Sequence, residues 1–238
     1  MGKLIPILAS LLTVSITRGH SRTTHEKSSS DLGRRMYNGS MKALREIDPG
    51  FSPSNAVDFG CGVGRVTLPL AREAVSVLGV DVSRGMLSEA RKNATDRAVS
   101  NVRFAHEVSG SFDLVHCFIV LQHIPPRRGL RILSDLLSRM EPGGMVVLQV
   151  PYHWHAAAWR KLATRVVRVD PITKRALNLA RGRSFNYPTM MTFCYDLRSI
   201  ITLFQDAGID DMRITSDSST GPYHSGVILY GKSAAKAN

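Results

Sequence analysis

Ala56-Val57-Asp58-Phe59-Gly60-Cys61-Gly62-Val63-Gly64-Arg65 decides how the rest of the chain is read. A short apolar strand, 56–59, runs into glycines at every second position: Gly60, Gly62 and Gly64. An amphipathic stretch follows, with Val66, Leu68, Leu70 and Ala71 among its apolar members. Glycines crowded at a strand-to-helix turn let the backbone approach a ligand where a Cβ would collide. Exposed amides at the helix start then suit an anionic group such as a carboxylate or phosphate. Spacing narrows the choice of nucleotide. A dinucleotide fingerprint needs G-x-G-x-x-G, and here the third glycine comes one residue early, with Arg65 in its slot. A phosphate loop needs Gly-Lys-Ser/Thr, which is absent. Downstream, residues 76–82 (S-V-L-G-V-D-V) read as the next strand, with Asp81 near its tip. A carboxylate there can accept hydrogen bonds from both ribose hydroxyls, which supports an adenosine ligand without choosing among adenosine cofactors.

The motif D-F-G-C-G-V-G resembles the first motif of the class I S-adenosylmethionine-dependent methyltransferases, and other elements follow in the order of that family. Residues 83–93 (S-R-G-M-L-S-E-A-R-K-N) resemble the helix after the second strand. Residues 111–126 (S-F-D-L-V-H-C-F-I-V-L-Q-H-I-P-P) resemble the fourth strand and its outgoing loop, in the bacterial small-molecule form with Gln-His-Ile-Pro-Pro. Residues 141–151 (E-P-G-G-M-V-V-L-Q-V-P) resemble the Pro-Gly-Gly turn and fifth strand, and residues 225–232 (S-G-V-I-L-Y-G-K) the closing antiparallel strand. The resemblance implies a Rossmann-like, doubly wound α/β fold with a seven-stranded sheet in the order 3-2-1-4-5-7-6, parallel except for an antiparallel last strand.

It also implies a cofactor, S-adenosylmethionine, with S-adenosylhomocysteine as product, and a set of contacts. Asp58 would cap the turn's amides or meet the cofactor's amine through a water. Gly60, Cys61 and Gly62 would give backbone access, and Asp81 would hold the ribose. Val82 or Met86 would pack on the adenine, and Ile119 would line the methionine arm. Relatives carry a polar contact to the adenine amino group in the connection that is here only 107–111, so Glu107 or His106 would have to serve. Methyl transfer from a sulfonium is an in-line displacement in which the protein mainly positions the acceptor and excludes water, so neither a triad nor a metal is required. A hydroxyl acceptor gains from a base. His123 in L-Q-H-I-P-P stands where the reactive end would lie; His153, Tyr223 and His224 are further candidates. Tyr152, His153 and Trp154 open a long segment, 152–191, placed where relatives build a substrate cap.

Alternating strand and helix signals fit this fold. Strands are expected at 56–60, 76–82, 101–106, 112–120, 143–150, 211–216 and 225–232, and helices at 34–47, 63–74, 84–96, 127–140, 156–169 and 195–207. The 238 residues suit one domain, 34–232, preceded by an apolar segment and flexible linker (1–33) and followed by a short tail (233–238). The run 4–16 is apolar but short for a membrane span, and lacks an A-x-A cleavage site. It reads as a packing or membrane-surface segment or a start-site extension, with a signal peptide as the remaining alternative. Residues 17–31, rich in Ser, Thr and charge, read as linker.

The net charge of +12 is uneven: residues 151–238 carry twelve Lys/Arg against six Asp/Glu, residues 51–150 only eleven against nine. Eight basic residues fall between Arg160 and Arg183 against the single Asp170. Such a cluster is either a solvated face or a grip for phosphates, an acidic substrate or an anionic membrane. The three cysteines, at 61, 117 and 194, lack metal-cluster or disulfide spacing, which fits a reducing cytoplasm, with membrane-peripheral association left open. Cys61 reads as a small residue that fits its turn. The leading reading is a methyltransferase acting on a small-molecule, lipid or saccharide acceptor, on oxygen. An RNA or protein methyltransferase using the basic insert is a second reading, although no Asn/Asp-Pro-Pro-Tyr/Phe motif or RNA-binding module accompanies it. A non-catalytic, membrane-associated cofactor-binding scaffold is a third. The acceptor and oligomeric state are not encoded in any motif.

Overall fold

The computed structural model describes residues 22–155, 192–217 and 224–234, with the side chains of the first described helix from residue 33 onward. Seven strands form one sheet: β1 (Asn55–Phe59), β2 (Ser76–Val80), β3 (Val102–Ala105), β4 (Phe112–Cys117), β5 (Met140–Trp154), β6 (Asp211–Asp217) and β7 (His224–Lys232). Their order is β3-β2-β1-β4-β5-β7-β6. The first five run parallel, and β7 pairs antiparallel with both β5 and β6. The fold class and strand order implied by the motif are therefore those observed. The strand tips at the carboxyl edge of β1, β2, β4 and β5 all face the same rim, where open α/β sheets bind ligands.

Helices cover both faces: α1 (Arg22–Ile47), α2 (Thr67–Leu70), α3 (Arg84–Asp96), α4 (Pro126–Ser138) and α5 (Leu197–Asp206). Alternate strand residues enter opposite layers, as strand geometry dictates. On one face Val57, Val115, Val146 and Leu148 pack with Leu133 and Leu136 of α4 and Ile200 and Phe204 of α5. On the other, Ala56, Val77, Met145 and Val147 pack with Tyr37, Met41 and Leu44 of α1. Both faces being buried, β5 reads as a nearly continuous apolar run rather than an alternating one. Helix α5 ends in a Schellman arrangement about Gly208 (φ 71°): Ile209 N–H donates to Phe204 O and Gly208 N–H to Gln205 O, both at 2.9 Å.

Four expectations change. The helix placed at 63–74 shrinks to the four residues of α2. Gly64 takes a left-handed φ of 83° and Pro69 supplies no amide, so the chain continues as turns whose carbonyls at Ala71 and Ala74 accept from Asn101 Nδ2 at 2.7 and 2.9 Å. The strand expected to reach 120 stops at Cys117, because Ile119 turns left-handed (φ 61°) into the short 3-10 turn Leu121–His123. Strand β5 extends beyond 150 to Trp154, held by pairing of His153 with Ser225 and Trp154 with His224. Residues 152–154 thus form the carboxyl end of β5 rather than the opening of the segment that follows it. Finally, residues 22–31 are not linker but the opening turns of α1, since a helix nucleated by a packed stripe propagates at little cost.

One compact unit comprises Ser29–His155 and Met191–Asn238; a second comprises Met1–Ser28 and Ala156–Met190. Nearly all of the second lies outside the described residues, and with it the apolar run 4–16, the expected helix 156–169 and the basic cluster. Among the described residues no helix is long and apolar enough to cross a membrane.

Candidate functional site at the carboxyl rim

The glycine turn leaves β1 at the rim and packs against the loop after β4. Gly60 (φ 78°) has no room for a side chain: a Cβ there would sit 2.0 Å from Val120 Cγ2. Gly62 (φ 53°) has the opposite surroundings, since nothing lies within 4 Å of its Cβ position. The first glycine lets two protein segments touch, and the second opens onto free space where a ligand can lie against the backbone.

Four amides of the glycine turn are satisfied within the protein. Gly60 and Cys61 N–H both donate to Val80 O (2.7 and 3.0 Å), and Gly64 N–H to Cys61 O at 2.9 Å. Gly62 N–H donates to Asp81 Oδ2 at 3.0 Å, and Ser83 N–H to Asp81 Oδ1 at 2.8 Å. Asp81 therefore clamps the tips of β1 and β2 together, and each oxygen keeps a lone pair for a further donor. Beside it Val82 is 86% and Met86 46% exposed, two apolar side chains held in solvent at the same corner. His106 reaches this corner too, with Nδ1 3.1 Å from Asp81 O, while Glu107 is exposed without a described contact to it.

Asp58 has side-chain partners beneath the turn rather than the turn's amides. It is 4% exposed, and Thr67 Oγ1 donates to its Oδ2 at 2.6 Å while His116 Nδ1 lies 3.0 Å from its Oδ1. A carboxylate only accepts, so Nδ1 carries the hydrogen. Asp58 thus fastens α2 and β4 beneath the turn through side chains, without reaching the turn's amides. His116, read only as strand from the sequence, is the buried partner that pattern reading missed. A histidine in an apolar strand opposite an aspartate one strand over was the available signal.

Cys61 is buried, and its thiol is pushed up above its ordinary range by burial and then by the charges of Asp58 and Asp81. It stays protonated, which fits the reading of a small space-filling residue. The carboxylates of Asp58 and Asp81 both stand at the turn, and negative charge there disfavours a pyrophosphate and favours a cation.

On the far side of the rim the groups are side chains rather than backbone. Trp154 stacks on His224 with centroids 5.9 Å apart and planes 4° from parallel, and His153 meets His155 edge-on at 4.7 Å. His155 Nε2 and Ser225 Oγ lie 2.5 Å apart. Burial, and then the neighbouring His155, hold His224 below the ordinary histidine range. Tyr152 is exposed on the same strand end. Tyr223 lies outside the described residues. His123 is exposed at the end of its 3-10 turn, with Nε2 3.2 Å from Gln122 Nε2. The turn itself is anchored from below: Tyr195 O–H lies 2.7 Å from Ile124 O and 3.0 Å from Leu121 O, and Phe193 N–H donates to Gln122 O at 2.7 Å. Ile119 sits between the two halves, its amide donating to Gln149 Oε1 at 3.0 Å.

A family model described as a methyltransferase domain matches residues 33–212. Trans-aconitate 2-methyltransferase of Deinococcus radiodurans is 35% identical over 125 residues, covering 50% of this chain and 46% of that protein. Ubiquinone biosynthesis O-methyltransferase of Acinetobacter baylyi is 30% identical over 105 residues, 41% of this chain and 43% of that protein. The chain thus spans about half the length of these relatives. Among solved structures, the magnesium protoporphyrin IX methyltransferase of Synechocystis PCC 6803 with bound SAH aligns over 98% of this chain and 95% of its own, with TM-score 0.62 and 19% identity. That likeness is one of fold.

Proposed function

The chain belongs to the methyltransferase-domain family, and from that premise we propose that it transfers a methyl group from S-adenosylmethionine to an oxygen of a small-molecule acceptor. The observation that carries this reading is the corner formed by Gly62, Asp81, Val82 and Met86. It combines open space at a glycine, a clamped carboxylate with acceptor capacity, and two exposed apolar side chains. In this reading Asp81 takes the ribose hydroxyls, Val82 and Met86 cover the adenine, and His106 borders its edge. Gly60, Cys61 and Ile119 bound the methionine arm. The two carboxylates at the turn, Asp58 and Asp81, suit a sulfonium better than a pyrophosphate. Asp58 supports the turn rather than touching the ligand.

When bound, the cofactor supplies an activated methyl group and a neutral thioether leaving group. What remains for the protein is to hold the acceptor oxygen in line and keep water away. In this reading His123, on the exposed turn after β4, takes the acceptor's proton. Tyr152, His153 and Trp154, joined by His224, offer flat and hydrogen-bonding surfaces for the acceptor at the end of the β5–β7 pair. The names of the two curated relatives, one acting on trans-aconitate and one an O-methyltransferase of ubiquinone biosynthesis, support a small acceptor and an oxygen atom. The methyltransferase domain on this reading runs over residues 34–232.

Incubation with methyl-labelled S-adenosylmethionine and a panel of carboxylic acids and phenols tests the reading. Label should appear in an oxygen-linked product, with stoichiometric S-adenosylhomocysteine. Label in RNA or protein instead would replace the small-molecule acceptor by a macromolecule. Cofactor binding with no transfer to any class would leave a scaffold.

A further inference from the structure

Ile119 holds a backbone conformation that its side chain opposes. Its φ of 61° is in the left-handed region, and Ala98 is the only other non-glycine found there among the described residues. A β-branched residue in that region is a genuine outlier, and such strain persists only where the surroundings enforce it. The enforcing contacts form a chain across the sheet. Ile119 N–H donates to Gln149 Oε1 at 3.0 Å, and Gln149 Nε2 donates to Asp217 Oδ2 at 2.7 Å. Gln149 is fully buried in mid-sheet on β5, and Asp217 is the last residue of β6. A carboxylate can only accept here, so Asp217 fixes which end of the Gln149 amide is nitrogen and turns the oxygen toward Ile119. Gly226 on β7, the partner of Asp217, brings no side chain to the intervening strand.

The next residue, Val120, closes directly on Gly60, whose missing Cβ would stand 2.0 Å from Val120 Cγ2. The brace therefore sets how the loop after β4 meets the glycine turn. We propose that Gln149 is a positioning residue, oriented by Asp217, that holds Ile119 left-handed and so shapes the wall of the S-adenosylmethionine site; this rests on the reading given under Proposed function. Gln149 touches no ligand in this account and acts only through Ile119.

Glycine adopts the left-handed region freely, which supplies a test that a mere packing role would fail. Affinity for S-adenosylhomocysteine would be measured by calorimetry on the full chain, on Gln149→Leu, on Ile119→Gly, and on the double variant. Gln149→Leu should weaken binding about tenfold in the parent but less than about twofold in the Ile119→Gly background. An equal loss in both backgrounds overturns the proposal. If Gln149→Leu does not fold, Asp217→Ala is carried through the same cycle with the same two outcomes. A second readout needs no ligand: the one-bond Cα–Hα coupling of Ile119, which separates positive from negative φ. It should move toward negative-φ values in Gln149→Leu, and an unchanged coupling contradicts the brace. A parent protein without affinity for S-adenosylhomocysteine would sink the functional reading, and the coupling would then decide the brace by itself.

Discussion

The two halves of the carboxyl rim are built from different materials. Around β1 and β2 the site is backbone: three left-handed glycines, four amides spent internally, and a carboxylate clamped by two N–H groups. Around β5 and β7 it is side chains: a stacked Trp154–His224 pair, an edge-on His153–His155 pair and an exposed Tyr152. Backbone geometry of this kind admits few residues at each position, so the first half suits a ligand that never changes. Side-chain surfaces can be exchanged without disturbing the sheet, so the second half suits an acceptor that differs from one family member to another.

Substitutions at the two halves should accordingly behave differently. The largest effect is expected at Gly60→Ala. A Cβ at φ 78° and 2.0 Å from Val120 Cγ2 adds left-handed strain of about 1–2 kcal/mol to overpacking of about 1–3 kcal/mol. Denaturant unfolding should show that loss of stability, with cofactor affinity falling alongside it. Asp81→Ala comes next. Loss of charge-assisted hydrogen bonds, part-replaced by water, should lower S-adenosylhomocysteine affinity about tenfold to a few hundredfold in a folded protein. Unchanged affinity would remove Asp81 from the ribose.

Gly62→Ala sharpens the contrast within the turn. With nothing within 4 Å of its Cβ position, the variant should lose only the strain of about 1–2 kcal/mol in stability. Its affinity should nevertheless fall about tenfold, because the open space belongs to the ligand. The smallest effect is at the other half, in pH dependence. His224 is held below the ordinary histidine range by burial and by His155, so the unfolded chain binds the proton more readily than the folded one. Its contribution to stability is present above about pH 6.5 and is lost as pH falls through the depressed value. Melting temperature followed between about pH 7 and 5 should drop less in His224→Gln than in the parent.

The contrast also accounts for what could be read in the sequence. The sheet topology was legible through resemblance: five motifs standing in the order of a known family implied the strand order, which no spacing or periodicity in the chain specifies by itself. The length of α2 escaped pattern reading, since an apolar run after the turn looks helical whether or not Gly64 and Pro69 interrupt it. The extension of β5 to Trp154 escaped it too: residues 151, 153 and 154 pair with β7 across a register shift that no side-chain alternation announces. The partners of Asp58, Thr67 and His116, were equally illegible, since they lie nine and 58 residues away. The left-handed Ile119 is the least legible of all, since a β-branched residue there runs against its own propensity and is held by Gln149 from another strand.

Calorimetric titration of the full chain with S-adenosylhomocysteine, with NAD as the control, tests the central claim most directly. Binding in about the micromolar range for S-adenosylhomocysteine and none for NAD is the predicted result. A folded protein that ignores S-adenosylhomocysteine, or that takes NAD equally well, would contradict the assignment of the β1–β2 corner.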